Sequence, residues 1–141
     1  METHNITTTW KGNMQFESTN PSGDVISIDA GAENGGEGKG VRPKALMLSV
    51  LGGFIGLDVA YLIEKMKLEV ANFKIETSGE LIEEHPKTYH KVKVDYHFYG
   101  DNLDEKKLEK AVNLSVEKYC GVMEMFRQFA KVEVAIFYHK A

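Results

Sequence analysis

VRPKALMLSVLGGFIGLDVAYLIEKM, residues 41 to 66, is the stretch that decides how the rest of the chain must fold. Between Leu46 and Ile63 the only charged residue is Asp58. Pro43 suits a first helical turn, where a missing N–H costs little. The run from residue 46 to 63 would span about 27 Å as an α-helix. A helix apolar on nearly all sides is expected to be buried on nearly all sides, so residues 42–66 read as a central helix. Gly52, Gly53 and Gly56 each lower helix propensity by roughly 1 kcal/mol against alanine. Gly52 and Gly56 share a face, which predicts a second helix crossing there, from the same chain or from another subunit.

The flanking segments read as amphipathic elements that could cover this helix. Residues 5–11 and 13–19 are rich in threonine and aromatics, with Gly12-Asn13 between them suited to a tight reversal. Asn20-Pro21-Ser22-Gly23 is turn chemistry, and Val25, Ile26, Ile28 and Ala30 mark a third strand, so residues 1–30 are expected to open with a three-stranded meander. Residues 31–40, GAENGGEGKG, hold five glycines and read as a mobile loop, either a lid or a plain connector. Beyond the helix, Val70, Phe73 and Ile75 begin a strand. Residues 88–99 alternate, with Tyr89, Lys91, Lys93, Asp95, His97 and Tyr99 on one side and His90, Val92, Val94, Tyr96 and Phe98 on the other. Asp101, Asn102 and Asp104 offer helix caps. Leu108, Ala111, Val112 and Ser115 mark the buried stripe of a helix running to about Tyr119. A shorter helix after a break at Gly121 and a last strand over 131–138 complete residues 70–141 as ββααβ. The order is βββ-α-ββ-α-α-β, an α+β fold in a single domain over residues 1–141.

Composition excludes several classes of function. The 141 residues are 43% hydrophobic and 27% charged, ordinary for a soluble globular protein. A net charge of −4, with Arg42 and Arg127 the only arginines, opposes binding to nucleic acid or an anionic membrane. The apolar run contains Asp58 and three glycines, which argues against a membrane span. METHNITTTW lacks the regions of a signal peptide. The single cysteine, Cys120, leaves no internal disulfide. A cytoplasmic location is the resulting expectation. The glycine-rich loop lacks the Lys-Ser/Thr ending of a phosphate-binding loop. His90 and His97 differ in strand parity and His85 sits at a turn, so no metal site and no cofactor are expected. The run Asp104-Glu105-Lys106-Lys107 reads as a solvated helix face.

Gly40-Val41-Arg42-Pro43, Leu51-Gly52-Gly53 and Gly56-Leu57-Asp58-Val59 form one ordered set of motifs. His85-Pro86, Gly100-Asp101-Asn102-Leu103-Asp104 and Leu114-Ser115-Val116-Glu117-Lys118-Tyr119-Cys120 continue it. In this order the set resembles the OsmC/Ohr family of organic-hydroperoxide and osmotic-stress proteins, closest to an OsmC-like branch with GVRP and EKYC signatures, over roughly residues 8–138. The resemblance implies an intertwined homodimer whose central helices pack together, with thiol peroxidase sites at the interface. In active members one cysteine on the central helix attacks the hydroperoxide, and a second resolves the resulting sulfenic acid to a disulfide. An arginine and a glutamate near the helix start activate the first thiolate.

Carried onto this chain, the resemblance matches Cys120 to the second cysteine, Phe54 to the first, and Ala45 to the glutamate. Arg42 is the arginine near enough in sequence to serve. Phenylalanine supplies no nucleophile, so conventional peroxidase activity is expected to be lost in a redox or stress-response protein. Phe54, with Met47, Val50, Leu57 and Tyr61 on the same helical face, is either core or the wall of a former site, with Val50 and Tyr61 beside it. Two further readings stay open: a binder of a small apolar ligand at the dimer interface, and a one-cysteine redox sensor through Cys120. A helix starting at Cys120 would lower its thiol pKa, whereas Glu117 and Glu124 would raise it; a buried, inert cysteine is the commoner case. Asp58 reads as a capping or hydrogen-bonding group.

Overall fold

The computed structural model describes residues 1–141, the side chain of Tyr119 excepted. The chain divides into two compact units, Met1–Met47 and Leu48–Ala141.

The first unit is an antiparallel meander of β1 (Thr7–Gly12), β2 (Gln15–Thr19) and β3 (Val25–Ile28). The β1–β2 reversal uses the residues that tolerate a left-handed backbone, Gly12 at φ 102° and Asn13 at φ 49°. The Trp10 indole Nε1–H donates to the Asn13 carbonyl at 2.8 Å and holds the turn. Trp10, Phe16, Val25 and Ile26 are nonetheless exposed. The loop that follows is organised where the glycine content predicts mobility. Asp29, only 2% exposed, accepts from the backbone N–H groups of Ala30 (2.8 Å), Glu37 (3.0 Å) and Lys39 (3.0 Å). The Lys39 N–H, ahead of those of Glu37 and Ala30, holds the Asp29 carboxyl below its ordinary range against the opposing effect of burial. Residues Ala32–Asn34 form a 3-10 turn inside this loop. Gly36 allows the tight winding, because a Cβ there would collide with the Ala30 carbonyl oxygen. Val41 then bridges in parallel to Ile28.

Helix α1 (Pro43–Lys65) carries Leu51, Ile55, Val59 and Leu62 into the core of the second unit. That unit's sheet has the order β4-β5-β6, with β4 (Asn72–Leu81) antiparallel and β6 (Lys131–His139) parallel to the central β5 (Tyr89–Tyr99). Val92, Val94, Tyr96 and Phe98 of β5 meet α1 on one face of the sheet. Leu108 and Val112 of α2 (Glu105–Leu114) and Met123 and Phe126 of α3 (Gly121–Arg127) close the same core. Each such large apolar side chain contributes roughly 1.5–3 kcal/mol by leaving water. The α2 stripe Leu108, Ala111, Val112 and Ser115 is fully buried, as its helical spacing predicts. Asp104 caps α2 by accepting from the Lys107 N–H at 3.1 Å. The element order is the expected βββ-α-ββ-α-α-β.

Four local expectations change. Helix α1 is not buried all round: Met47, Val50, Phe54, Leu57 and Tyr61 are exposed, because one three-stranded sheet covers one side of a helix. Within the chain, the Gly52–Gly56 face meets strand β4 rather than a second helix. A Cβ at Gly52 would lie 3.1 Å from Thr77 Oγ1, and one at Gly56 3.5 Å from Ile75 Cδ1. Tyr89 is buried and His90 exposed, the reverse of simple alternation. The register shifts between Glu80 and Leu81, so Glu80 pairs with Lys91 and Leu81 with Tyr89; the bulge inverts the pleat at the strand start. The break after α2 falls at Cys120, whose extended backbone (φ −92°, ψ 96°) follows a π turn over Ser115–Tyr119.

Candidate functional site

Three elements bring polar groups together inside the second unit. Strand β5 alternation points Tyr96 inward, α1 presents Asp58 at the margin of its buried stripe, and the end of α2 supplies Ser115. The Ser115 hydroxyl donates to Asp58 Oδ2 at 3.3 Å. Burial raises the Asp58 carboxyl above its ordinary range, with the Ser115 hydrogen bond opposing. Tyr96 is fully buried, and its hydroxyl has no hydrogen-bond partner among the described residues. Burial drives the Tyr96 phenol upward, followed by the nearby charges that Cys120 and Asp58 would carry.

Cys120 completes the group. The π turn delivers it: the Cys120 N–H donates to the Ser115 carbonyl at 2.9 Å, the five-residue step of a π turn. Its Sγ then accepts from the Met123 N–H at 3.1 Å and caps α3. The residue is 4% exposed. Burial pushes the thiol up; the Met123 N–H opposes this, the Asp58 charge adds to it, and Arg127 opposes it weakly. Desolvation therefore wins over the helix end, and the thiol stays protonated at neutral pH. Arg127 spends one guanidinium donor on the Val116 carbonyl at 3.1 Å and lies 3.6 Å from Glu124. Chemically the cluster holds protons. It has a neutral thiol, a carboxyl whose pKa burial raises and a phenol that resists ionisation, which is the opposite of an activated thiolate.

The other residues singled out by sequence fall elsewhere. Val50, Phe54 and Tyr61 lie on the exposed stripe of α1, with Phe54 39% exposed. Phe54 stands one helical turn before Asp58, on the side of α1 that borders the polar cluster. Arg42 belongs to the first unit, where its charge favours ionised Asp29. Ala45 is exposed. His90 pairs with Glu80 at 2.8 Å, and His97 with Glu76 at 3.0 Å. Among the described residues no three or more His, Cys, Asp or Glu side chains converge as a metal site. Sequence reasoning overlooked Tyr96 as part of the cluster. Its signal was available, since a phenol at an inward strand position must find or forgo a partner for its hydroxyl.

The family described as OsmC-like protein matches residues 36–135. The chain is 27% identical over 123 residues to the protein YhfA of Escherichia coli K12, covering 87% of this chain and 89% of that one. It resembles the crystal structure of a hypothetical protein from Aquifex aeolicus VF5, with a TM-score of 0.86 and 31% identity. That match covers 100% of this chain and 99% of the other. The fold is shared with the organic hydroperoxide resistance protein OhrB of Bacillus subtilis, at a TM-score of 0.67 and 18% identity, covering 96% and 98% of the two chains. The matched segment spans the central helix, β4, β5, the first part of β6 and the Cys120 turn, and the chain belongs to the OsmC-like protein family.

Proposed function

We propose that this protein is an OsmC-like redox or stress-response protein whose hydroperoxide-reducing activity has been lost. One observation carries the proposal: the chain's only thiol, Cys120, is 4% exposed and held protonated, while the position matched to the attacking cysteine is Phe54. Peroxide reduction needs a thiolate that reaches the O–O bond. A buried neutral thiol at the second position supplies neither the charge nor the access. Ala45 likewise supplies no carboxylate to activate one. The same burial weighs against Cys120 as a one-cysteine sensor.

The protein acts as a homodimer in this reading. The exposed residues Met47, Val50, Phe54, Leu57 and Tyr61 alternate steps of three and four along α1, the spacing by which two facing helices interlock. In the first unit, a three-stranded sheet leaves Trp10, Phe16 and Ile26 exposed, apolar surface of the kind that marks an interaction face. A second copy supplies the missing cover. A second functional reading rests on the same stripe: a small apolar ligand seated against Phe54, Val50 and Tyr61 at the interface.

The test is hydroperoxide consumption by the intact protein with a dithiol reductant, using cumene hydroperoxide and a two-cysteine family member as the positive control. The expected rate is the uncatalysed background. Sustained turnover dependent on Cys120, abolished in Cys120→Ser, would overturn the loss of activity.

A further inference from the structure

Among the described residues, the Tyr96 hydroxyl is the one buried side-chain oxygen or nitrogen without a hydrogen-bond partner. The sheet offers it none. Tyr96 stands opposite Ile75 on β4 and Ile136 on β6, both packed against the apolar core. Its ring lies nearly parallel to that of Phe98, at 9° with centroids 6.3 Å apart, and the residue is 0% exposed. Close packing on both flanks stops the ring from swinging its hydroxyl out to solvent.

The polar groups near the phenol come from the helices. Ser115, at the end of α2, is 0% exposed, and its hydroxyl donates to Asp58 Oδ2 at 3.3 Å. That bond uses the one serine proton and leaves acceptor capacity on both the Ser115 oxygen and the Asp58 carboxyl. Cys120 Sγ is already engaged as the cap of α3, accepting from the Met123 N–H at 3.1 Å. Asp58 and Cys120 lie close enough to oppose ionisation of the phenol, yet neither bonds it directly. A buried hydroxyl left unbonded forfeits its bond to water and gains nothing in return. Protein interiors meet such groups with ordered water where other polar atoms converge.

We propose that the Tyr96 hydroxyl marks a buried binding site for one water molecule, which bridges β5 to the Asp58–Ser115 pair between α1 and the π turn. A buried water typically makes about three hydrogen bonds, and the phenol, the carboxyl and the serine oxygen supply three. Tyr96 donates to the water, and the water donates to Asp58 and to Ser115. The surroundings select against other guests. An anion is repelled whenever Asp58 ionises. A cation finds no group of three or more His, Cys, Asp or Glu side chains among the described residues. An apolar guest leaves the hydroxyl as unbonded as before. The bridge ties together the elements that carry the Cys120 cluster, and it holds whether or not the protein reduces hydroperoxides.

The test uses the intact protein, with water itself as the probe. Oxygen-17 relaxation dispersion counts long-lived buried waters, and a crystal structure at atomic resolution locates them. The expected result is a solvent peak within hydrogen-bond distance of both Tyr96 Oη and the Asp58 carboxyl, and one long-lived water fewer in Tyr96→Phe. Urea unfolding of Tyr96→Phe should show the unfolded-to-folded ratio raised about two- to tenfold, the loss of one satisfied hydrogen bond. An orphaned hydroxyl gives the opposite sign, because phenylalanine keeps the ring and removes the unbonded oxygen. If the variant does not fold, the crystal structure of the unaltered chain decides alone. Three results overturn the proposal: a Tyr96 hydroxyl bonded directly to a protein group or facing no solvent peak, an unchanged water count in Tyr96→Phe, or a Tyr96→Phe chain at least as stable as the unaltered one. Neither water count nor unfolding involves hydroperoxide turnover.

Discussion

The two sides of helix α1 are built from the same residue types and meet different surroundings. Leu51, Ile55 and Val59 pack in one core with β5 and the short helices, and these three and Leu62 are buried. Met47, Val50, Phe54, Leu57 and Tyr61 are as apolar and stand open, Leu57 at 74% exposure. The first side closes a core within one chain; the second has the spacing and composition of a helix seam and is exposed. Hydrophobicity along α1 therefore counts the surfaces to be covered and does not say by what. The position matched to the attacking cysteine is on the open side, and the surviving thiol is beneath the closed side. The interior therefore holds one buried thiol, and the exposed stripe is apolar along its length.

The comparison can be broken first at the closed side. Ile55→Ala should destabilise the fold by about 2–5 kcal/mol, the cost of a cavity in a packed core, seen as a fall in the urea midpoint with little change in slope. A loss below 1 kcal/mol would mean that this side is loosely packed. On the open side, Leu57→Asp should move the mass measured by light scattering from two chains to one, while the far-UV spectrum of the monomer stays helical and sheet-rich. An unchanged mass would remove α1 from the interface.

The smallest effect lies at the border between the sides. The folded pKa of Asp58 is raised, so its neutral form is the one the fold favours. The stability it contributes is full below the unfolded carboxylate pKa and is lost as pH rises through the folded value. Asp58→Asn keeps an acceptor for the Ser115 hydroxyl without the charge. It should stabilise the protein at pH 7 by about 1 kcal/mol or less, with the difference vanishing toward pH 3. Thermal melts across that range check the sign; a variant less stable at pH 7 would mean that ionised Asp58 is the favoured form. Removing the Asp58 charge should also speed alkylation of Cys120 at alkaline pH, since that charge helps keep the thiol protonated.

Much of this was legible in the residues. The α2 stripe shows at helical spacing, and Asp104 shows as a cap because a carboxylate ahead of an apolar periodic segment has one economical use there. Phe54 and Ala45 stand out once the motif order is recognised. The Tyr89–His90 inversion was hidden, because a bulge in the pairing of β4 with β5 leaves no mark on the alternation itself. Asp29 reads as the end of a strand, and only the returning loop shows it as the acceptor for three N–H groups.

By itself the sequence determined the order of elements, the α+β class, the family and the absence of an attacking thiol on the central helix. These rest on local periodicity, turn chemistry and residue identity, which need no partner to be read. The tertiary structure alone decided which side of α1 is covered, what the Gly52–Gly56 face meets within the chain, how Cys120 is kept neutral and which histidine His97 meets. Each of these depends on groups distant in the chain: Thr77 and Ile75 against the glycines, Asp58 and Met123 around the thiol, His139 beside His97. A helix apolar all round carries no directional signal, so its orientation is set by what packs against it.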